Sequence, residues 1–162
     1  MSAERIFNQK IAGFLEGRTF ISVATSDLNN KPNAAPKFIL KVGDDLVYLV
    51  DYNFSRTWEN IKLNPRVSMS FIDSQTLFGY QINGAVKLIE KGPEYEKIVG
   101  ELSAKKIQHS VERIIEGLHK EHKHQGFEID MPERFVIYKI SVQEVLEISP
   151  KGDVKSHKLE NI

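Results

Sequence analysis

A short helix start set between two strands is the feature that most limits how this chain can fold. Ser55 is placed to cap a helix, and Arg56 and Thr57 follow in its first turn, where unpaired backbone N–H groups favour a phosphate. Asn64-Pro65 ends the helix after about two turns, because the residue before a proline is driven out of the helical region. The run predicts an anion-binding turn, although capped helices of this kind also occur on ordinary protein surfaces.

The segments on both sides of this helix predict a sheet. Ranges rich in β-branched and aromatic residues, bounded by turn signals, predict strands over 20–25, 33–42, 46–51, 67–72, 78–90 and 135–148. Turns are expected at 27–32 and 43–45, and Gly84 interrupts the fifth strand where a bulge would suit a closing barrel. We therefore expect a mainly β fold with flanking helices.

Helical periodicity is confined to the N-terminus and one internal stretch. Apolar residues recur at helical spacing near the start of the chain: Phe7, Ile11, Phe14 and Leu15. They predict an N-terminal helix within 1–17. A helical insertion is expected over 92–125, and residues 151–162 look polar and loose. Because the 162 residues are 41% hydrophobic and contain no linker, we expect a single domain over 1–162.

Composition narrows the classes of function. Lys plus Arg equals Asp plus Glu at 22 each, so no global field draws in nucleic acid or an acidic membrane. Cysteine is absent, which excludes disulfides, thiolate metal sites and cysteine nucleophiles. The polar N-terminus lacks the apolar core of a signal peptide, and no apolar run approaches the roughly 20 residues that span a bilayer. We expect a cytoplasmic protein that binds neither nucleic acid nor membrane.

Four short segments, in their order and spacing, carry a resemblance to a known family. They are residues 34–42, residues 46–51, the run from Ser55-Arg56-Thr57 to Val67, and residues 92–96. Together they resemble the FMN-binding split β-barrel family related to pyridoxamine 5′-phosphate oxidase. The resemblance implies a six- to seven-stranded antiparallel split barrel. It also implies a homodimer in which each FMN lies in a cleft between the subunits.

The resemblance also implies which residues would hold the cofactor. Arg56 and Thr57 would bind the phosphate with Ser55 beside them, in agreement with the helix start. Two strands would line the ribityl chain and the ring through Pro36, Lys37, Phe38 and Ile39, with Val50 and Asp51 beneath. Asn60 would bond either the cofactor or only the preceding loop. Gln81 would touch the pyrimidine end of a flavin held by the partner subunit.

Lys37 and Lys41 lie four residues apart on the second predicted strand. Because such residues share a face of a strand, we expect both side chains to point the same way. The functional hypothesis makes Lys37 a charge partner for the phosphate or for the N1 region of the reduced flavin. The alternative is a solvated strand face.

Two other groups of residues are set aside from the site. Trp58 is a candidate for stacking on a flavin, but with Ile61 three residues later it fits the core side of the short helix better. His119, His122 and His124 carry metal-ligand chemistry, but His124 falls off the helix face that the other two share. A solvated helix end is favoured there, and no metal site is expected.

The sequence contains no catalytic triad, carboxylate pair or dinucleotide fingerprint, so the chemistry falls to the cofactor. Our leading interpretation is an FMN-binding oxidoreductase acting on an unidentified small molecule. The family's vitamin B6 oxidases carry a C-terminal segment rich in Arg with a Trp, which grips the substrate phosphate. Here Trp58 is the only tryptophan and Arg134 the only arginine after Arg113, so that substrate is not expected.

Several alternatives to this interpretation stay open at the level of sequence. One is a flavin-binding or electron-carrying module without a dedicated substrate. Another is a haem-binding or haem-degrading split barrel, with His157 or a histidine of the 119–124 cluster as the iron ligand. A deazaflavin in place of FMN would use the same phosphate site.

Overall fold

The computed structural model describes residues 9–101 and 135–158. The chain divides into two compact units, one of Met1–Ile89 with Arg134–Ile162 and one of Glu90–Glu133. In the second unit, residues 93–101 are helical. The start of the N-terminal helix, most of the predicted insertion and the histidine cluster at 119–124 lie outside the described residues. The expectation of a single domain stays a prediction. Within the described ranges, no helix has the length and apolar character needed to cross a membrane.

Seven strands of the first unit form one sheet in which all paired neighbours are antiparallel. Their order is β3-β2-β1-β4-β5-β6-β7, and an additional pairing of β3 with β6 closes six strands into a barrel. This confirms the predicted mainly β, six- to seven-stranded antiparallel fold. The strands are β1 Phe20–Ser26, β2 Pro32–Gly43, β3 Leu46–Tyr52, β4 Arg66–Ile72, β5 Gly79–Ile89, β6 Phe135–Ile148 and β7 Val154–Lys158. The helices of this unit are α1 Gln9–Glu16 and α2 Arg56–Leu63.

The first three strands form two consecutive hairpins. In the first, β1 and β2 pair from Phe20 opposite Phe38 to Ser26 opposite Pro32. In the second, the two-residue turn places Asp44 at φ 48° and Asp45 at φ 58°. Positive φ at both central residues is the turn geometry that matches the twist of paired strands. Both predicted turns are therefore confirmed.

The core fills the inside of the closed barrel. Each barrel strand contributes buried apolar side chains to it, among them Val23, Ile39, Leu49, Met69, Ile82 and Ile140. Ile11 and Leu15 of α1 join the same cluster, which confirms the amphipathic pattern of that helix. Because successive side chains alternate across a strand, the residues between these core positions form the outer face of the sheet.

Two strands carry bulges that shift their register. The shift in β2 lies between Ile39 and Lys41, opposite β3. Lys37 is buried beside Asp51, whereas Lys41 lies opposite Tyr48 with its ammonium 4.7 Å from the centre of that ring. The expectation that Lys37 and Lys41 share a face is therefore wrong, because one extra residue between them reverses the alternation.

The second bulge lies in β6, where Gln143 is the extra residue between Glu144, which pairs with Asn83, and Val142, which pairs with Gly84 of β5. This is where the sequence predicted an interruption of the strand. A Cβ at Gly84 would lie 2.6 Å from the Ser141 carbonyl oxygen, so the two strands approach too closely there for any larger residue.

The C-terminal segment is more ordered than its composition predicted. Residues Val154–Lys158 form β7, which pairs with β6 from Ile148 opposite Val154 to Glu144 opposite Lys158. The prediction of a loose tail over 151–162 is wrong for this strand, and residues 159–162 lie outside the described residues. Lys158 and Ser156 each contact a Glu144 carboxylate oxygen at 3.1 Å, so polar cross-strand bonds hold a strand that lacks an apolar pattern.

Replacing Gly84 with alanine should destabilise the barrel by about 2 kcal/mol or more, because the new methyl group would overlap a backbone oxygen. Urea unfolding of the variant measures this free energy. Gly43→Ala is the matched control, since a Cβ at that strand glycine meets nothing within 4 Å. Equal stability of the two variants would contradict the close approach of β5 and β6.

Candidate functional site

Helix α2 begins shortly after β3 ends. Ser55 is the N-cap in an extended conformation, and its Oγ accepts a hydrogen bond from the Trp58 N–H at 3.1 Å. The Ser55 carbonyl accepts from the Glu59 N–H at 3.1 Å, and Asn64 caps the other end. The predicted helix, with its start and its stop, is confirmed. The N–H groups of Arg56 and Thr57 are left without a helical acceptor, as at any helix start.

Arg56 is the cation of this helix start. Its side chain is exposed, and no side chain in the described part of the chain pairs with its guanidinium. The positive end of the helix dipole adds to its charge. The guanidinium and the two N–H groups beside it therefore form a set of donors for an anion.

An aromatic pair, Tyr52 and Phe54, lies directly before the helix cap. The two rings stack with their centroids 5.2 Å apart and an angle of 20° between their planes. Both are exposed, Phe54 to 65%, although such rings are normally covered. Neither residue is among those predicted for the site. The available signal was two aromatic residues one position apart immediately ahead of the N-cap.

Asp51, at the end of β3, gathers the polar groups behind the helix start. It is 6% exposed, and its Oδ2 accepts hydrogen bonds from the Ser55 hydroxyl and, at 2.7 Å, from the Tyr138 hydroxyl. The Lys37 ammonium, 7% exposed, lies 2.8 Å from the same oxygen. The Lys37 ammonium and the Ser55 hydroxyl proton are thus both bonded to Asp51 inside the protein. The cofactor roles assigned to these three residues stay predictions.

Thr57 and Asn60 face the protein interior. The Asn33 amide donates to Thr57 Oγ1 at 3.1 Å and to Thr25 Oγ1 at 3.3 Å, and the Asn60 amide donates to Thr25 Oγ1 at 3.0 Å. Thr57, Asn60 and Thr25 are buried. This network attaches α2 to β1 and β2, and only the backbone of Thr57 is directed towards the helix start. Their contact with a cofactor stays a prediction.

The remaining predicted residues divide between the two sides of the sheet. Ile39 is in the core, whereas Pro36, Phe38, Val50 and Gln81 alternate with core residues and lie on the outer face. Phe38 packs edge to face on Phe20, with centroids 5.9 Å apart. Alternation along β2 therefore prevents Pro36, Lys37, Phe38 and Ile39 from lining one surface together.

An open cleft of about 430 Å³ lies around the start of β4. It is lined by Ala24, Thr25, Ser26, Asn64, Arg66, Val67, Ser68, Asn83, Gly84 and Gln143. None of the predicted site residues lines it, but Gln81 donates to Asn83 Oδ1 at 3.1 Å. Asn83 in turn donates to Glu144, and this bond, with that from Lys158, lowers the pKa of the Glu144 carboxyl. Glu144 therefore stays charged and balances Lys158.

Residues 9–101 and 135–158 contain no group of three His, Asp or Glu side chains close enough to hold a metal ion. His157, a candidate iron ligand, is half-buried on β7 opposite Val145. The other candidates, His119 to His124, lie outside the described residues.

Comparison with known proteins gives one family match. The family model described as pyridoxamine 5′-phosphate oxidase matches residues 7–149. No curated protein matches the sequence.

Solved structures of low sequence identity share the fold. A protein related to general stress protein 26, of the pyridoxinephosphate oxidase family, from Clostridium acetobutylicum matches with a TM-score of 0.65 and 14% identity, covering 94% of this chain and 97% of that one. A pyridoxamine 5′-phosphate oxidase-related, FMN-binding protein from Nostoc punctiforme matches with a TM-score of 0.54 and 14% identity, covering 88% and 87%.

Two further neighbours are named for other cofactors. A haem-binding protein from Mycobacterium smegmatis matches with a TM-score of 0.55 and 15% identity, covering 89% of this chain and 54% of that one. A structure named F420 reductase matches with a TM-score of 0.56 and 16% identity, covering 86% and 98%. At these identities the neighbours establish the fold, and their cofactors differ.

The inward orientation of Thr57 generates a test of its role. Thr57→Val should lower the free energy of unfolding by about 1 to 2 kcal/mol, because the Asn33 amide loses a buried acceptor. Chemical denaturation measures the loss, and Thr19→Val at an exposed position should change stability by less than about 0.5 kcal/mol. If both substitutions have the same small effect, the Thr57 hydroxyl does not stabilise the helix.

Proposed function

Because this chain belongs to the pyridoxamine 5′-phosphate oxidase family, we propose that it binds FMN at the start of α2 and acts as an oxidoreductase on a small molecule. The observation that carries the proposal is the exposed Arg56, without a partner among the described residues, a few positions along the chain from the exposed rings of Tyr52 and Phe54. A cation and an aromatic pair in one short exposed segment suit a ligand that has both a phosphate and a flat ring.

The donor set at this helix start fits a phosphate. Arg56 would contact phosphate oxygens through its guanidinium, and the N–H groups of Arg56 and Thr57 would donate to them from the positive end of the helix. Ser55 and Thr57 would act through the backbone and the cap, because their hydroxyls are bonded inside the protein. When bound, FMN would supply the hydride or electron transfer, and the protein would supply position and charge.

The outer face supports a homodimer as part of the proposal. Apolar side chains on this face are exposed in the single chain, including Phe20 at 59% and Ile72 at 54%. Ile72, Gly79, Ile148 and Val154 are successive partners across four strands, so they form a continuous apolar row. Exposed patches of this kind mark interaction surfaces. With this face covered by a second copy, Gln81 would come close to the partner's site.

Haem is the second candidate ligand, favoured by the neighbour that is named as haem-binding and by the half-buried His157. A deazaflavin is a variant of the first proposal and would use the same phosphate donors. The absorption spectrum of the purified protein separates them, since haem gives a Soret band that flavins lack. Reduction of the bound flavin by nicotinamide donors, followed by turnover, would favour an enzyme over an electron carrier.

The absence of cysteine supports a cytoplasmic location.

Arg56→Ala should weaken FMN binding about thirtyfold, because a charge-assisted contact with phosphate contributes roughly 2 kcal/mol. Quenching of flavin fluorescence on binding gives the dissociation constant. Riboflavin, which lacks the phosphate, should bind the variant and the original protein alike. Lys62→Ala, at the other end of the same helix, is the matched charge control and should leave FMN affinity unchanged. An unaltered FMN affinity in Arg56→Ala would refute the assignment.

Dilution should release FMN together with dissociation of the dimer, because the proposed site lies between two subunits. Analytical ultracentrifugation that follows flavin absorbance gives the sedimentation coefficient of the species that carries the cofactor. Flavin that sediments with a monomer would exclude a shared site.

A further inference from the structure

We propose that the buried Lys37–Asp51 ion pair is the internal counter-charge of the anion site at α2, and that Lys37 keeps Asp51, not the ligand phosphate, as its partner when the site is filled. The inference rests on the proposed function, because it concerns the same helix start. It assigns Asp51 a positioning role and Lys37 a compensating one.

Three donors from different parts of the chain converge on Asp51 Oδ2. They are the Lys37 ammonium of β2 at 2.8 Å, the Tyr138 hydroxyl of β6 at 2.7 Å and the Ser55 hydroxyl. A carboxylate that accepts this many bonds at 6% exposure is held in one position. Asp51 is therefore a fixed part of the barrel to which the start of α2 is attached.

The bond from Ser55 to Asp51 determines that the capping hydroxyl acts as an acceptor towards the helix. A hydroxyl has one proton, and Ser55 uses it to donate a hydrogen bond to Asp51. The lone pairs of Ser55 Oγ are then available to accept the Trp58 N–H, as observed at 3.1 Å. Asp51 thus holds Ser55 as an acceptor towards the helix, so that this hydroxyl does not donate to an incoming phosphate.

The position of Asp51 creates an electrostatic problem for an anion site. Its carboxylate lies only two hydrogen bonds from the Trp58 amide, in the first turn of α2 where a phosphate would bind. A bare negative charge there would repel the ligand, and salt screens buried charges poorly. Lys37, at 2.8 Å from the carboxylate and 7% exposed, cancels that charge.

Burial also explains why Lys37 would not leave Asp51 for the ligand. Removing one partner of a buried ion pair leaves the other charge uncompensated, which is strongly destabilising. A move of the Lys37 ammonium to the phosphate would leave Asp51 in that state inside the barrel. The charge that the ligand meets directly is then that of Arg56, which has no partner among the described side chains.

Two variants test the inference through binding alone. Lys37→Met should weaken FMN binding about tenfold, because the carboxylate of Asp51 then lacks its counter-charge near the phosphate. The double variant Lys37→Met with Asp51→Asn removes both charges and should bind FMN within about twofold of the original affinity. Riboflavin affinity should be the same in all three proteins. Thermal unfolding of each protein shows whether it is folded.

The double variant decides the outcome even if Lys37→Met does not fold. FMN binding that is lost in a folded double variant would overturn the inference, because removal of both charges should leave the site electrically balanced. Unchanged FMN affinity in a folded Lys37→Met protein would overturn it as well, since the pair would then have no effect on the site.

Inorganic phosphate separates this inference from the proposed function. Phosphate binding is followed through the NMR amide signals of Arg56 and Thr57 in the same three proteins. If the original protein binds phosphate but not FMN, the proposed function fails, and the counter-charge is still judged from the order of the phosphate affinities. If neither phosphate nor FMN binds, both the site and the counter-charge are wrong.

Discussion

Hydrogen bonding between β3 and β6 closes the sheet, and most other features of the first unit depend on that closure. A closed sheet has a true inside, in which a side chain must be apolar or fully paired. Lys37 and Asp51 both point to that inside, and they are therefore found together. The same pairing brings Tyr138 of β6 within reach of Asp51 on β3.

Helix α2 uses its two sides for different tasks. Its inward side is attached to the barrel by Thr57 and Asn60 through the amides and hydroxyls of β1 and β2, and by Ser55 through Asp51. Its outward side carries the exposed Arg56 and the first N–H groups, which we propose as the donors for a ligand. This division suits an anion site, because such a site needs donors that are fixed in place but not already hydrogen-bonded within the protein.

Local patterns explain which parts of the fold were predictable from sequence. The strand ranges, the capped helix ended by Asn64-Pro65 and the bulge at Gly84 each depend on residues close together in the chain. The bulge between Ile39 and Lys41 contains no glycine to signal it, and it reversed the face on which Lys41 lies. Strand β7 lacks an apolar pattern and depends on bonds to Glu144.

The helix start was predictable in position, but its internal bonding was not. A cap followed by an arginine marked the helix start, whereas the Lys37–Asp51 pair depends on the register of two strands, which a sequence does not give. The family match assigns the chain to the pyridoxamine 5′-phosphate oxidase family, and its cofactor is a proposal. Trp58 lies in the first turns of α2, packs against the core and has the Lys62 ammonium 4.2 Å above its ring. As the only tryptophan of the chain, it makes the protein's indole emission a built-in optical report on that one helix.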